Sequence, residues 1–176
     1  MKLKIAVCVA FAVLLQTTLP RFWGLLVYVD LPLIVVTYFA LRRDVVLALI
    51  VGCATGLATD AFSGGLLGAN GFTKTLVAYL IAALVTRVML DNPLVRIPVI
   101  AGAAALDGVT FFLAHQILGQ RPLPSFVETV AYKLIATTVV GTFAFYLLDM
   151  FFSERARVRR QFAFRRRAAR RSLVRR

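Results

Sequence analysis

The sequence predicts an all-α polytopic membrane protein, a bundle of six transmembrane helices, and three observations carry that reading. Between Ile5 and Phe152 nearly every stretch long enough to form an element is apolar, with charges only as punctuation. The 176 residues are 60% hydrophobic and 16% charged, with a mean hydropathy of +0.83, so the polar side chains are too few to cover a soluble core. Glycine, proline and charged residues cluster at five breaks. The runs between these breaks approach the roughly 20 residues a helix needs to cross hydrocarbon.

The first span runs from Ile5 to Leu19. Its basic start, Met1-Lys2-Leu3-Lys4, and apolar middle imitate a signal peptide, but Leu19-Pro20-Arg21-Phe22-Trp23 offers no small-residue cleavage pattern, which reads as a retained helix. The second, Leu25 to Leu41, lies between Pro20-Arg21 and Arg42-Arg43-Asp44. The third, Val45 to Phe62, ends at Ser63-Gly64-Gly65. The fourth covers Gly71 to Thr86, with room to extend to Leu90, before the Asp91-Asn92-Pro93 break. The fifth covers Ile97 to Leu118, and Gln120-Arg121-Pro122-Leu123-Pro124 separates it from the sixth, Phe126 to Phe152. That last run exceeds what a membrane needs, which implies tilt or a first turn outside the hydrocarbon. Residues 1–152 form the transmembrane domain and 153–176 a basic cytoplasmic tail.

The formal net charge of +13 is concentrated at one end: the tail carries eleven Arg and one acid, and everything before it nets only +3. Basic residues are retained on the cytoplasmic side. With the N-terminus inside, Lys2, Lys4, Arg42, Arg43, Arg87, Arg96 and the tail are cytoplasmic, against Arg21, Lys74 and Arg121 outside, so both termini are assigned to the cytoplasm. Cys8 and Cys53 sit in apolar runs and read as small buried thiols. With a single histidine and no paired-ligand spacing, neither a metal nor another cofactor is expected. No nucleophile has a base in register, so no catalytic residue is assigned.

Gly52, Gly56, Asp60 and Gly64 recur every four residues in the third span and share one nearly bare helix face. Small residues at this spacing let a second helix approach closely in lipid. That helix belongs either to the bundle itself or to a partner, which makes Gly52, Gly56, Asp60, Gly64 and Gly68 the candidate partner-binding set. Asp60 either accepts N–H groups of the following glycine-rich loop, pairs with Lys74, or takes part in ligand or partner binding there. Asp107 lies mid-way along the fifth span, where an ionised side chain facing lipid costs about 2.5–3.5 kcal/mol or more. It must face the bundle interior. Lys133, about two turns into the antiparallel sixth span, is its candidate partner, and a solute or partner site or a proton or ion relay are the alternatives.

If helical, the tail places Val158, Phe162, Ala169 and Leu173 on one side, a basic amphipathic pattern that binds anionic inner-leaflet lipid through Arg155, Arg157, Arg159, Arg160, Arg165, Arg166 and Arg167. An acidic cytoplasmic partner is the alternative. Nucleic acid is disfavoured because interleaved aromatic stacking positions are missing.

Asp30-Leu31-Pro32-Leu33 opening the second span, Leu41-Arg42-Arg43 closing it, and Gly52-x-x-x-Gly56-Leu57-x-x-Asp60-x-x-Ser63-Gly64-Gly65-x-x-Gly68-x-Asn70 after it resemble the rod shape-determining protein MreD family, most sharply from Asp30 to Ala83. The resemblance implies a non-enzymatic inner-membrane component of the bacterial elongation machinery. Its implied partners are the bitopic MreC, RodA with its transpeptidase, and MreB indirectly, in support of lateral peptidoglycan synthesis and cell shape. It also implies a fold like the S component of energy-coupling-factor transporters, which supplies the alternative function, a vitamin-binding uptake subunit. On the first reading a bulky residue such as Gly56→Leu is expected to abolish complex formation while leaving membrane insertion intact.

Overall fold

Apolar sequence in lipid has no water to hydrogen-bond its backbone, so each run must satisfy its own N–H and C=O groups, and helices do so within the segment. The computed structural model describes residues 2–19, 24–63, 67–87, 95–117 and 128–150, and their regular structure is entirely helical. Six α-helices are present among them: α1 (Lys2–Thr18), α2 (Leu31–Ala40), α3 (Val45–Ser63), α4 (Ala69–Arg87), α5 (Arg96–Ile117) and α6 (Glu128–Met150). The last four are long and apolar enough to cross a membrane, whereas α1 and α2 are shorter apolar helices. The chain divides into two compact units, Met1–Thr142 and Phe143–Arg176, with α1 to α5 and the first part of α6 in the first. In the second, the described residues are the final turns of α6.

The second predicted span departs from a continuous helix. It is a 3-10 turn at Gly24–Tyr28, an irregular Val29-Asp30, and then the ten-residue α2. Asp30 and Pro32 cause the break. Asp30 adopts non-helical φ −102° and ψ 85° and its Oδ1 accepts the Leu33 N–H at 2.9 Å, while Pro32 stands in the first turn, where its missing N–H costs nothing. The groups this break frees are taken up by side chains of other helices. Gln16 Oε1 on α1 accepts the Leu31 N–H at 3.0 Å; Thr137 Oγ1 on α6 accepts the Asp30 N–H at 3.2 Å and donates to the Tyr28 carbonyl at 3.3 Å.

Every residue of α2 from Pro32 to Ala40 is buried, and the helix contacts α1, α3, α4 and α5, so the shortest helix is the core of this unit. It ends in a tight turn: the Leu41 N–H reaches the Thr37 carbonyl at 3.1 Å, Arg43 takes a left-handed φ of 62°, and Asp44 Oδ1 caps α3 through the Leu47 N–H at 3.0 Å.

Among α1 to α5, the α3–α4 hairpin is the most extensive helix pairing. A Cβ on Gly52 would stand 2.8 Å from the Lys74 carbonyl oxygen, and one on Gly56 2.3 Å from that of Asn70 and 2.6 Å from the Gly71 Cα. The bare face of α3 is therefore filled by α4 of the same chain, and only glycine permits that approach. A partner's helix would have to displace α4 to use Gly52 or Gly56, so of the two expectations for this stripe the structure realises internal packing. Gly64 lies outside the described residues. Both cysteines are free thiols, but Cys53 is exposed and Cys8 half-buried, a correction to their reading as buried: an apolar run in lipid has outward-facing positions as well as buried ones.

Candidate functional site

Four charged side chains from four separate segments meet inside the helices. Asp30 enters from the cap of α2, Lys74 from the second turn of α4, Asp107 from mid-α5 and Lys133 from the second turn of α6. Lys133 Nζ lies 2.7 Å from Asp107 Oδ2 and 3.0 Å from Asp30 Oδ2; Lys74 Nζ lies 2.8 Å from Asp30 Oδ2 and 3.5 Å from Asp107 Oδ1. The four alternate in sign around a closed ring and their formal charges sum to zero. The Lys74 and Asp107 side chains are fully buried, while Asp30 and Lys133 keep 11% and 23% of theirs exposed, so the ring has a closed side and an open side.

The ring follows from the cost of charge in an apolar interior. An isolated ammonium or carboxylate loses hydration that nothing apolar replaces, and pairing with hydrogen bonds is what makes its burial tolerable. Asp30 Oδ2 bridges both lysines while its Oδ1 is held by the Leu33 N–H. Asp107 Oδ1 makes no hydrogen bond to the described residues, though the Lys74 ammonium lies 3.5 Å from it.

The expected Asp107–Lys133 pair forms directly, the long lysine stem reaching between helices. Asp107 is not the lone acid its span suggests, because Asp30 shares both lysines. Lys74 joins Asp30 and Asp107 and not Asp60, with which it was the candidate partner. Asp30 and Lys74 complete the site that Asp107 and Lys133 only half define. Their signal was present, since each is an ionisable residue inside a predicted span, and such residues are functional candidates by default.

Asp60 takes the loop-capping role among its alternatives. Near the end of α3 it accepts the N–H groups of Gly68, Asn70 and Gly71 at 2.9, 3.2 and 3.0 Å and the Asn70 side-chain amide at 2.8 Å. A carboxylate on the first N–H groups of α4 satisfies donors with no intrahelical partner and meets the positive end of the helix dipole. Gly68, at φ 96°, takes a left-handed conformation just ahead of α4 that glycine adopts without steric cost. Asn70 also links this cap to the ring, its Oδ1 standing 3.4 Å from Lys74 Nζ.

Two cavities flank Asp30 and Gln16. One of about 300 Å³ is lined by Thr59, Ser63 and Asn70 near the Asp60 cap; the other, about 220 Å³, is lined by Phe111, Phe112, Thr129 and Lys133. Among the described residues no three His, Cys, Asp or Glu side chains gather as a metal site. The tail arginines assigned to anionic lipid, Arg155, Arg157, Arg159, Arg160, Arg165, Arg166 and Arg167, lie outside the described residues.

Apolar helices with hydrophobic exteriors, locked by a neutral internal charge ring, define a helical membrane protein. Residues 1–152 match the family of the rod shape-determining protein MreD, and the chain belongs to that family. It is thus a rod shape-determining membrane protein, and the basic tail falls beyond the matched segment. No curated protein and no solved structure matches the chain.

Proposed function

We propose that this chain is a non-enzymatic component of the bacterial elongation machinery that holds a bitopic MreC-like protein beside RodA and its transpeptidase, with MreB connected indirectly, and so supports lateral wall synthesis. The observation that carries this reading is membership of the MreD family over residues 1–152. Family membership supports an inner-membrane location, and the lysine and arginine bias supports an orientation with both termini cytoplasmic.

Since Gly52 and Gly56 are occupied by α4, the partner is proposed to meet the capped end of the α3–α4 hairpin, where Asp60 and Gly68 fix the loop and Phe62, Leu67 and Phe72 stand exposed. The glycines then act by holding that end in shape. The test is affinity purification of the tagged chain from native membranes in mild detergent, with mass spectrometry of what accompanies it. An MreC-like protein with RodA and its transpeptidase is the expected recovery, reduced at least fivefold by Leu67→Asp; a wild-type preparation without them contradicts the reading.

The cavity of about 300 Å³ beside the Asp60 cap supports a second reading, a solute-binding subunit like the S component of energy-coupling-factor transporters, because it reaches the lower end of ligand-pocket sizes, about 300–1,000 Å³. Co-recovery of ABC-type ATPases and a coupling membrane subunit would decide for it.

A further inference from the structure

The open side of the charge ring faces the smaller cavity, of about 220 Å³, between α1, α5 and α6. Asp30 and Lys133 line it with their oxygen and nitrogen 3.0 Å apart, and they are the two ring members that retain exposed side-chain surface. A ligand there meets a carboxylate and an ammonium side by side, in a ring of zero net charge. A simple anion would gain Lys133 but be repelled by Asp30, and a simple cation the reverse. A ligand carrying both signs a few atoms apart gains on both.

The other lining residues include Gln16, whose Oε1 is engaged by the Leu31 N–H, and Thr129 as polar groups, with Phe111, Phe112 and Val130 among the apolar ones. Beside the cavity, the outward surfaces of α5 and α6 expose Val109, Leu113, Tyr132 and Ile135, side chains that belong against acyl chains.

We propose that this cavity binds the zwitterionic head group of an ethanolamine phospholipid, with the lipid phosphate on Lys133, its ammonium on Asp30, and its acyl chains along the exposed faces of α5 and α6. Basic pockets between transmembrane helices recognise lipid head groups, and here Lys133 supplies the basic group with the Asp30 carboxylate beside it. The site does not depend on which proteins the chain assembles with.

The test titrates the full-length chain in detergent with phosphatidylethanolamine and with phosphatidylglycerol of the same acyl composition, read by native mass spectrometry. Phosphatidylethanolamine is expected to bind at least tenfold more tightly. Thr129→Trp, which fills the cavity from an exposed rim position, is expected to remove that preference with thermal unfolding unchanged, and Phe112→Ala, which strips a wall, to weaken it should the tryptophan disturb α6. Equal binding of the two lipids, or a preference that survives both substitutions, overturns the proposal. Displacement of the lipid by soluble phosphoethanolamine at equal concentration would keep the zwitterion chemistry but overturn the lipid as its source.

Discussion

Asp107 has no exposed surface and touches both lysines of the ring, so its removal leaves two ammonium groups to share Asp30. Breaking a buried ion pair from one side costs about 3–5 kcal/mol, whereas replacing both partners by apolar residues approaches neutrality. Asp107→Leu is therefore expected to lower stability by about that amount, and Asp107→Leu with Lys133→Met to recover at least half, since the 2.8 Å Asp30–Lys74 pair survives. Thermal unfolding of the detergent-solubilised chain checks both, and a double variant no more stable than the single one refutes the pairing argument. Glycine is also decided residue by residue. Gly56→Ala drives a methyl into the backbone of Asn70 and Gly71 and should cost about 1–3 kcal/mol, while Gly102→Ala, on α5 with nothing within 4 Å, should gain about 0.5–1 kcal/mol from helix propensity. Equal effects in the same unfolding experiment contradict the close α3–α4 approach. Gly56→Leu consequently reports on the hairpin, and loss of a partner in that variant says nothing about docking.

At the level of elements, the α3–α4 hairpin depends on one cap. Asp60→Ala removes the acceptor for three backbone N–H groups and the Asn70 amide. Loss of a capping side chain costs about 0.5–2 kcal/mol. Hydrogen exchange is expected to accelerate at Gly68, Asn70 and Gly71 and to stay unchanged at the Leu33 N–H, which Asp30 holds separately. Uniform acceleration along the chain would mean that Asp60 supports the whole fold and not this loop. α2 works on the same principle. Its apolar run promises a span, but Asp30 and Pro32 start the helix late, and Gln16 and Thr137 receive the freed backbone groups. A continuous second helix would have placed Asp30 in regular helical geometry, where its carboxylate could not both cap a helix and bridge two lysines.

Across the whole molecule, the net charge of +13 lies mostly in residues 153–176, beyond the family match. A membrane-tethered segment of that charge is expected to add contact with anionic inner-leaflet lipid, at about 1 kcal/mol per basic residue near the surface. Deleting Arg155 to Arg176 should weaken association with anionic liposomes, and the difference should shrink as salt rises from low to about 0.5 M, because screening shortens the electrostatic reach. Equal binding by the truncated and full-length chains at low salt contradicts a lipid role for the tail.

The amino-acid sequence by itself determined that this is a helical membrane protein, where most helices run, and to which family it belongs, because transfer into lipid and backbone satisfaction depend on local composition. It also made Lys133 the candidate partner of Asp107, since charge within a span must find a partner. Only the tertiary structure decided that Asp30 and Lys74 close the ring, that Asp60 caps α4, and that Gly52 and Gly56 serve the chain's own hairpin. Those outcomes turn on which side chains converge from segments as far apart as Asp30 and Lys133, and hydropathy does not encode which opposite charges meet. Burial of charge in an apolar interior makes pairing obligatory; packing geometry selects the pairs.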